Sequence, residues 1–62
     1  MRLYDVKEVS EILNVSERTV RRMIERKEIP HIRIRGRVLF REETIDRWLR
    51  DLEEKNNTEL AR

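Results

Sequence analysis

The chain of 62 residues has no cysteine, one histidine, one glycine, one proline and three aromatic residues. Without cysteine it forms no disulfide and no thiolate metal site, and one histidine cannot build a histidine-based metal cluster or a catalytic triad. An enzyme is therefore the least favoured class, and we expect no catalytic residue, metal or cofactor. No apolar run approaches the roughly 20 residues of a membrane span, and the acids near the N-terminus do not fit a signal peptide. We expect a cytoplasmic protein without a membrane partner.

Charge is abundant and unevenly distributed. The net charge of +2 divides into −1 over residues 1–15, +6 over residues 16–41 and −3 over residues 42–62. The middle segment holds nine basic residues against three acids. A basic block between acidic flanks is typical of a surface that faces a polyanion. This asymmetry is the strongest functional signal in the sequence.

The first helix is predicted by its start and its end. Asp5 and Glu8 form a D-x-x-E pattern typical of a capping box, which predicts a helix over Val6–Leu13. Asn14 follows, and asparagine is the residue after glycine that best adopts the left-handed backbone of a helix end. The apolar spacing predicts three inward side chains: Val9, Ile12 and Leu13.

A second helix is predicted within Ser16–Lys27, with the Ser16 hydroxyl as its cap. Its inward positions are Val20, Met23, Ile24 and Lys27. Its remaining positions carry Arg18, Thr19, Arg21, Arg22, Glu25 and Arg26. Arginine is the side chain best suited to bidentate contact with guanine edges or phosphates. We interpret this segment as a DNA-recognition helix; the alternative is an amphipathic helix with ordinary surface charge.

The two helices are joined by a turn of about three residues, which is the spacing of a helix-turn-helix. Apolar residues occupy the positions at which that motif buries side chains: Val9, Leu13, Val15, Val20 and Met23. Ser10 is small where the helices should approach most closely. Each of these residues taken singly would also suit the core of any helical hairpin.

The segment after Pro30 alternates apolar and polar residues around Gly36, which predicts a β-hairpin. If the apolar residues share one face, the pairs are Ile34–Val38 and Ile32–Phe40, and the tip is Arg35-Gly36-Arg37. A two-residue turn would instead pair Ile34 with Arg37.

A third helix is predicted from Glu42 to about Glu54, with an apolar stripe of Ile45, Trp48, Leu49 and Leu52. Trp48 is the expected centre of the core. Two ion pairs are expected on this helix, Glu43–Arg47 and Asp46–Arg50. The chain is then a single domain over residues 1–54, followed by a tail over residues 55–62 that should fray.

These motifs in this order resemble the winged helix-turn-helix DNA-binding domain of the excisionase and MerR-type families. The residues that carry the resemblance are VKEVSEILNVSERTVRRMIER, EIP and RIRGRVLFREETIDRWL. The resemblance implies a mainly α fold with a small β-hairpin, the wing, in the order α-α-β-β-α. It also implies a small protein that binds and bends or bridges double-stranded DNA and acts in transcription regulation or DNA recombination.

Carried onto this chain, the resemblance implies a set of DNA-contacting residues at the start of the second helix and in the wing: Ser16, Arg18, Thr19, Arg21, Arg22, Arg35, Gly36 and Arg37. We add Arg33, which faces DNA or solvent. The long dimerising helix and effector domain of MerR-type regulators have no room in these 62 residues, so we expect no small-molecule effector. Specific binding would then use further copies on adjacent sites or a partner protein, with the bound protein associated with the nucleoid.

A protein-interaction adaptor with the same fold and no DNA binding is the competing function. Such an adaptor needs an exposed apolar patch, and we expect no apolar stripe beyond the core. RNA binding is less favoured, because it uses aromatic side chains for base stacking and this chain has few.

Overall fold

The computed structural model describes residues 1–60, which form three helices and a three-stranded antiparallel sheet. The elements are β1 (Leu3–Tyr4), α1 (Val6–Leu13), α2 (Glu17–Glu25), β2 (Ile32–Ile34), β3 (Arg37–Arg41) and α3 (Glu42–Leu60). The predicted α-α-β-β-α order is confirmed. Strand β1 was not predicted, because two residues are too few to show a period-two alternation. It pairs with β3, so that β3 is the central strand.

The residues at the two ends of α1 adopt the predicted capping geometry. The Glu8 amide donates to the Asp5 side chain at 2.8 Å, and the Asp5 amide donates to the Glu8 side chain at 3.0 Å. Asn14 ends the helix with φ of 59°. Both features depend only on residues close in sequence, which is why the sequence predicts them.

The inward face of α1 differs from the prediction. Val6, Val9 and Ser10 are buried, and Leu13 packs against the core, which makes an i, i+3, i+4, i+7 stripe. Ile12 lies off this stripe and is 46% exposed. The prediction that Ile12 points inward is therefore wrong.

Seven apolar residues form the buried core: Val6, Val9, Val20, Ile24, Ile29, Phe40 and Ile45. Phe40 is the largest fully buried side chain, whereas Trp48 is half-buried. Trp48 is thus not the centre of the core. The central strand β3 has neighbours on both edges and contacts α1 and α3, so its inward residue is enclosed on every side. Val15, also expected in the core, is 39% exposed.

The hairpin has a two-residue turn rather than the predicted three-residue tip. The observed pairs are Ile32–Leu39, Arg33–Val38 and Ile34–Arg37. The central turn residues, Arg35 and Gly36, have φ of 50° and 80°. Positive φ at both positions is the requirement of a type I′ turn, whose twist matches that of the flanking strands. The geometry of the turn, and not the pairing of apolar side chains across the strands, therefore determines the hairpin register.

This register divides the hairpin between two faces, because cross-strand partners share a face. Val38 and Phe40 face the core, and Arg33 lies on their side. The other face carries Ile32, Ile34 and Leu39, and Ile34 is 48% exposed.

Helix α3 continues to Leu60, past the predicted end at Glu54. No proline or glycine interrupts this stretch, so nothing in it breaks the helix. The predicted fraying of residues 55–62 concerns motion and stays a prediction; residues 61–62 lie outside the described residues. The Arg50–Asp46 pair is present at 3.1 Å, whereas Glu43 pairs with Arg41 at 3.0 Å instead of Arg47. Within residues 1–60, no helix is both long and apolar enough to cross a membrane.

Candidate nucleic-acid interface

The first turn of α2 is capped by Ser16. The Ser16 hydroxyl oxygen accepts the amide N–H of Thr19 at 3.0 Å, and the two hydroxyls lie 2.9 Å apart. Both residues are exposed. A ligand that approaches this end of α2 therefore meets two hydroxyl groups that are already held in place.

Two buried residues orient the rest of α2. Val20 is fully buried and Ile24 is 8% exposed, which turns the opposite face of the helix to solvent. That face presents the predicted arginines Arg18, Arg21 and Arg22, all exposed. Arg21 lies 3.8 Å from Glu17, and an exposed pair at that distance is worth little. The guanidinium groups of α2 are thus free to contact a ligand.

The wing, defined here as the β2–β3 hairpin, meets α2 at one hollow. This hollow of about 180 Å³ is lined by Arg21, Ile24, Glu25, Arg33 and Val38. Arg33 lies here because its cross-strand partner Val38 faces the core. The fold therefore places an arginine of the wing beside an arginine of α2.

The tip of the wing is open. Apart from its two chain neighbours, a Cβ atom at Gly36 would meet no atom within 4 Å, so the glycine is required by its positive φ and not by a close approach of another segment. Arg35 shares the turn with it, and Arg37 begins β3 opposite Ile34. Arg37 thus lies on the outer face of the sheet, whereas Arg33 lies on the side of α2.

A family model described as a helix-turn-helix domain matches residues 3–52, from β1 to well inside α3. The chain belongs to this excisionase-like helix-turn-helix family. No curated protein and no solved structure matches it. DNA binding is the function that a helix-turn-helix domain indicates, and the family is typically not enzymatic.

Most positive charges in the basic block of this helix-turn-helix domain, residues 16–41, have no acidic partner among the described residues. Of its nine basic residues, only Arg21 and Arg41 have an acidic partner within residues 1–60. The unpaired ones are Arg18, Arg22, Arg26, Lys27, Arg33, Arg35 and Arg37. Unpaired charges of one sign on one segment produce a positive potential that attracts polyanions.

The positive surface of the domain extends beyond the predicted residues. Arg26 and Lys27, at the end of α2, are exposed as well. The signal for them was visible as two adjacent basic residues inside the basic block. Among the described side chains, no group of three histidines or carboxylates is placed to hold a metal ion.

Proposed function

We propose that this helix-turn-helix protein binds specific double-stranded DNA sequences and acts as a transcriptional regulator or as an excisionase-like recombination or architectural factor. The observation that carries this proposal is the geometry of α2. Its apolar face is buried through Val20 and Ile24, and its opposite face presents exposed arginines, of which only Arg21 has an acidic partner among the described residues. A helix of this kind fits the major groove of DNA.

Each element has a distinct role in the proposal. Arg18, Arg21 and Arg22 divide their contacts between base edges and phosphates. The hydroxyls of Ser16 and Thr19 contact phosphate oxygens, which fixes the register of α2 on the duplex. The cap geometry supports this role, because both hydroxyls are exposed and oriented by their mutual hydrogen bond.

The wing contacts the DNA beside α2. Arg35 and Arg37 reach the adjacent backbone or a narrow minor groove, where the negative potential is enhanced. Arg33 joins the contact between helix and wing, supported by its place in the hollow with Arg21. Gly36 permits the tight turn that brings Arg35 to the tip.

One domain covers a short site. Single DNA-binding modules bury about 600–1,000 Å², so useful specificity requires further copies on adjacent sites or a partner protein. When bound to DNA, the protein would be associated with the nucleoid in the cytoplasm.

The test is fluorescence-anisotropy titration of random-sequence duplex DNA at about 50 mM and about 200 mM salt. We compare wild type with Arg21→Ala/Arg22→Ala and with Arg35→Ala/Arg37→Ala. The matched control, Arg47→Ala/Arg50→Ala, removes the same formal charge from α3. We expect micromolar binding that weakens with salt and in both test variants, while the control binds as wild type does.

Sequence specificity is tested by selection from a random duplex library, which should enrich one short motif. Loss of binding in only one test variant would show that the other element lies off the DNA. If no binding occurs even at low salt, the proposal fails and the adaptor takes its place. The exposed Ile12 on α1 is the observation that favours the adaptor.

A further inference from the structure

Two adjoining hollows lie between β1, α1 and the first turns of α3. They share Tyr4 and Ile12 and have volumes of about 370 and 400 Å³. We name them together the α1–α3 groove. Its apolar lining comes from Ile12, Ile45 and Leu49, and Ile12 is 46% exposed. Ile12 is the most exposed part of this apolar lining, because Ile45 belongs to the core and Leu49 is half-buried.

The rim of the α1–α3 groove is acidic. Its carboxylates are Glu8, Glu11, Glu42, Glu43 and Asp46, and its one basic residue is Arg2. Arg2 is already paired with Glu8 at 3.2 Å. The Glu11 side chain, beside Ile12, has no hydrogen bond or ion pair within residues 1–60. Glu43 and Asp46 pair with Arg41 and Arg50, and Glu42 accepts the Tyr4 hydroxyl, but exposed pairs of this kind are worth little. The rim therefore stays net negative, and an exposed apolar side chain beside it is complementary to a basic, apolar partner.

The groove shares no residue with the proposed DNA contacts. Those contacts lie on α2 and the wing, whereas the groove is formed by β1, α1 and α3. A partner in the groove therefore does not compete for the arginines of α2.

We propose that the α1–α3 groove docks a basic amphipathic helix of a second protein. The apolar face of that helix covers Ile12 and Leu49, and its lysine or arginine side chains face the acidic rim. A helix laid into an apolar groove is a recurrent mode of peptide recognition. Docking of this helix does not require DNA binding. Only the inference that this protein links the partner to DNA rests on the proposed function.

No described element of this chain has the chemistry of the occupant. The apolar face of α2 is buried in its own core, and α1 and α3 each carry more acids than bases. The outer face of the sheet is apolar and partly basic through Ile34 and Arg37, but it is formed by strands and not by a helix. The proposed occupant is therefore none of the described elements of this chain.

The probe is a fluorescein-labelled helical peptide of about 18 residues, or five turns, with leucine on one face and lysine on the other. A second peptide has glutamate in place of lysine, and a third has the composition of the first with its leucines spread around the helix. Binding is followed by anisotropy and by amide chemical shifts of the ¹⁵N-labelled protein. We expect saturable binding of the first peptide alone, with shifts centred on Glu11, Ile12 and Glu42–Leu49.

The site variant is Glu11→Lys/Ile12→Ser, and the matched control is Leu52→Ser/Glu53→Lys, which makes the same changes at exposed positions of α3. The site variant should bind at least about tenfold more weakly, and the control should bind as wild type does. Glu11→Gln should give an intermediate loss, and amide spectra report whether each variant is folded.

Three results would overturn the proposal. One is equal binding of the two lysine peptides, which would show attraction by charge alone. Another is a set of shifts centred on the outer sheet face. The third is concentration-dependent shifts of the groove without any peptide, which would make a second copy of this chain the occupant. DNA affinity of the site variant, measured in parallel, separates failure of docking from failure of DNA binding.

Discussion

Arg33 of β2 and Arg21 of α2 line the same surface hollow. The two residues are joined by the end of α2, a proline-containing link and the start of the wing. They come together because the hairpin register places Arg33 opposite Val38, on the side of the sheet that faces the core. Helix and wing thus each contribute one arginine to this hollow, which also contains the carboxylate of Glu25.

Arg33→Ala is expected to weaken binding to random-sequence duplex DNA as much as Arg21→Ala does. Loss of one phosphate contact should lower the slope of log affinity against log salt by about 1. The measurement is anisotropy over a salt series, with Arg47→Ala on α3 as control. An unchanged slope for Arg33→Ala, together with a reduced slope for Arg37→Ala, would place the DNA on the outer face of the wing.

Arg35→Asn should make the protein more stable and its DNA binding weaker. Arg35 has φ of 50° at the first central position of the turn, and Asn-Gly is the favoured sequence for a type I′ turn. A left-handed backbone costs a non-glycine residue about 1–2 kcal/mol, and asparagine tolerates it better than arginine. Urea unfolding gives the stability and anisotropy gives the affinity. An Arg35→Asn variant that is more stable and binds DNA fully would show that the tip arginine does not contact DNA.

Lys27→Gly should raise stability by about 0.5–1 kcal/mol, because Lys27 holds φ of 56° just after α2. The amides of Lys27 and Glu28 donate to the carbonyls of Ile24 and Met23 at 3.0 and 2.9 Å, which is the Schellman arrangement that favours glycine. Thermal unfolding should show an increase in Tm of about 2–8 °C. Arg47→Gly, in the middle of α3, removes the same charge from a helical position and should lower Tm instead.

The sequence predicts best those features that depend on neighbouring residues. The capping box at Asp5, the left-handed Asn14 and the cap at Ser16 each need only residues within one turn, and all three are confirmed. The family resemblance depended on the order of such local signals, and it is confirmed as well.

Features that depend on packing were harder to predict. The hairpin register followed the geometry of the Arg35-Gly36 turn, which left Ile34 exposed. The apolar spacing from Val9 predicts Ile12 inward, yet the stripe of α1 begins at Val6 and excludes it. The acidic rim of the α1–α3 groove joins residues far apart in the sequence, so no local pattern could reveal it. The role of the basic residues in DNA binding stays a prediction.

Phe40→Ala should unfold most of the protein, whereas Trp48→Ala should leave it folded. Truncating a fully buried phenylalanine costs about 3–5 kcal/mol, which is comparable to the whole stability of a domain of this size. Trp48 is half-buried, so its removal costs less. Far-UV circular dichroism during heating measures both variants, and Phe40→Leu should restore a cooperative transition. If Phe40→Ala stays folded and Trp48→Ala unfolds, the stability of the core depends on Trp48 and not on Phe40.

Tyr4 should titrate at a pH above the ordinary value of 10.0 for its side chain. Its hydroxyl donates to the Glu42 carboxylate at 2.8 Å, and this hydrogen bond raises the pKa of Tyr4, with burial and the charge of Glu42 acting in the same direction. Because the folded pKa lies above the unfolded one, the stabilisation is present below about pH 10 and is lost as the pH rises through the folded value.

Absorbance at about 295 nm follows the ionisation of tyrosine near pH 10, and the chain has one tyrosine, so its midpoint is read directly. Glu42→Gln should move that midpoint down toward 10.0, because the charge that opposes ionisation is removed. Glu43→Gln is the matched control, since Glu43 pairs with Arg41 and does not contact the phenol. Urea unfolding of the wild type should lose stability at alkaline pH relative to Tyr4→Phe, which cannot ionise. An equal midpoint in wild type and Glu42→Gln would show that β1 and α3 are not joined by this hydrogen bond in solution.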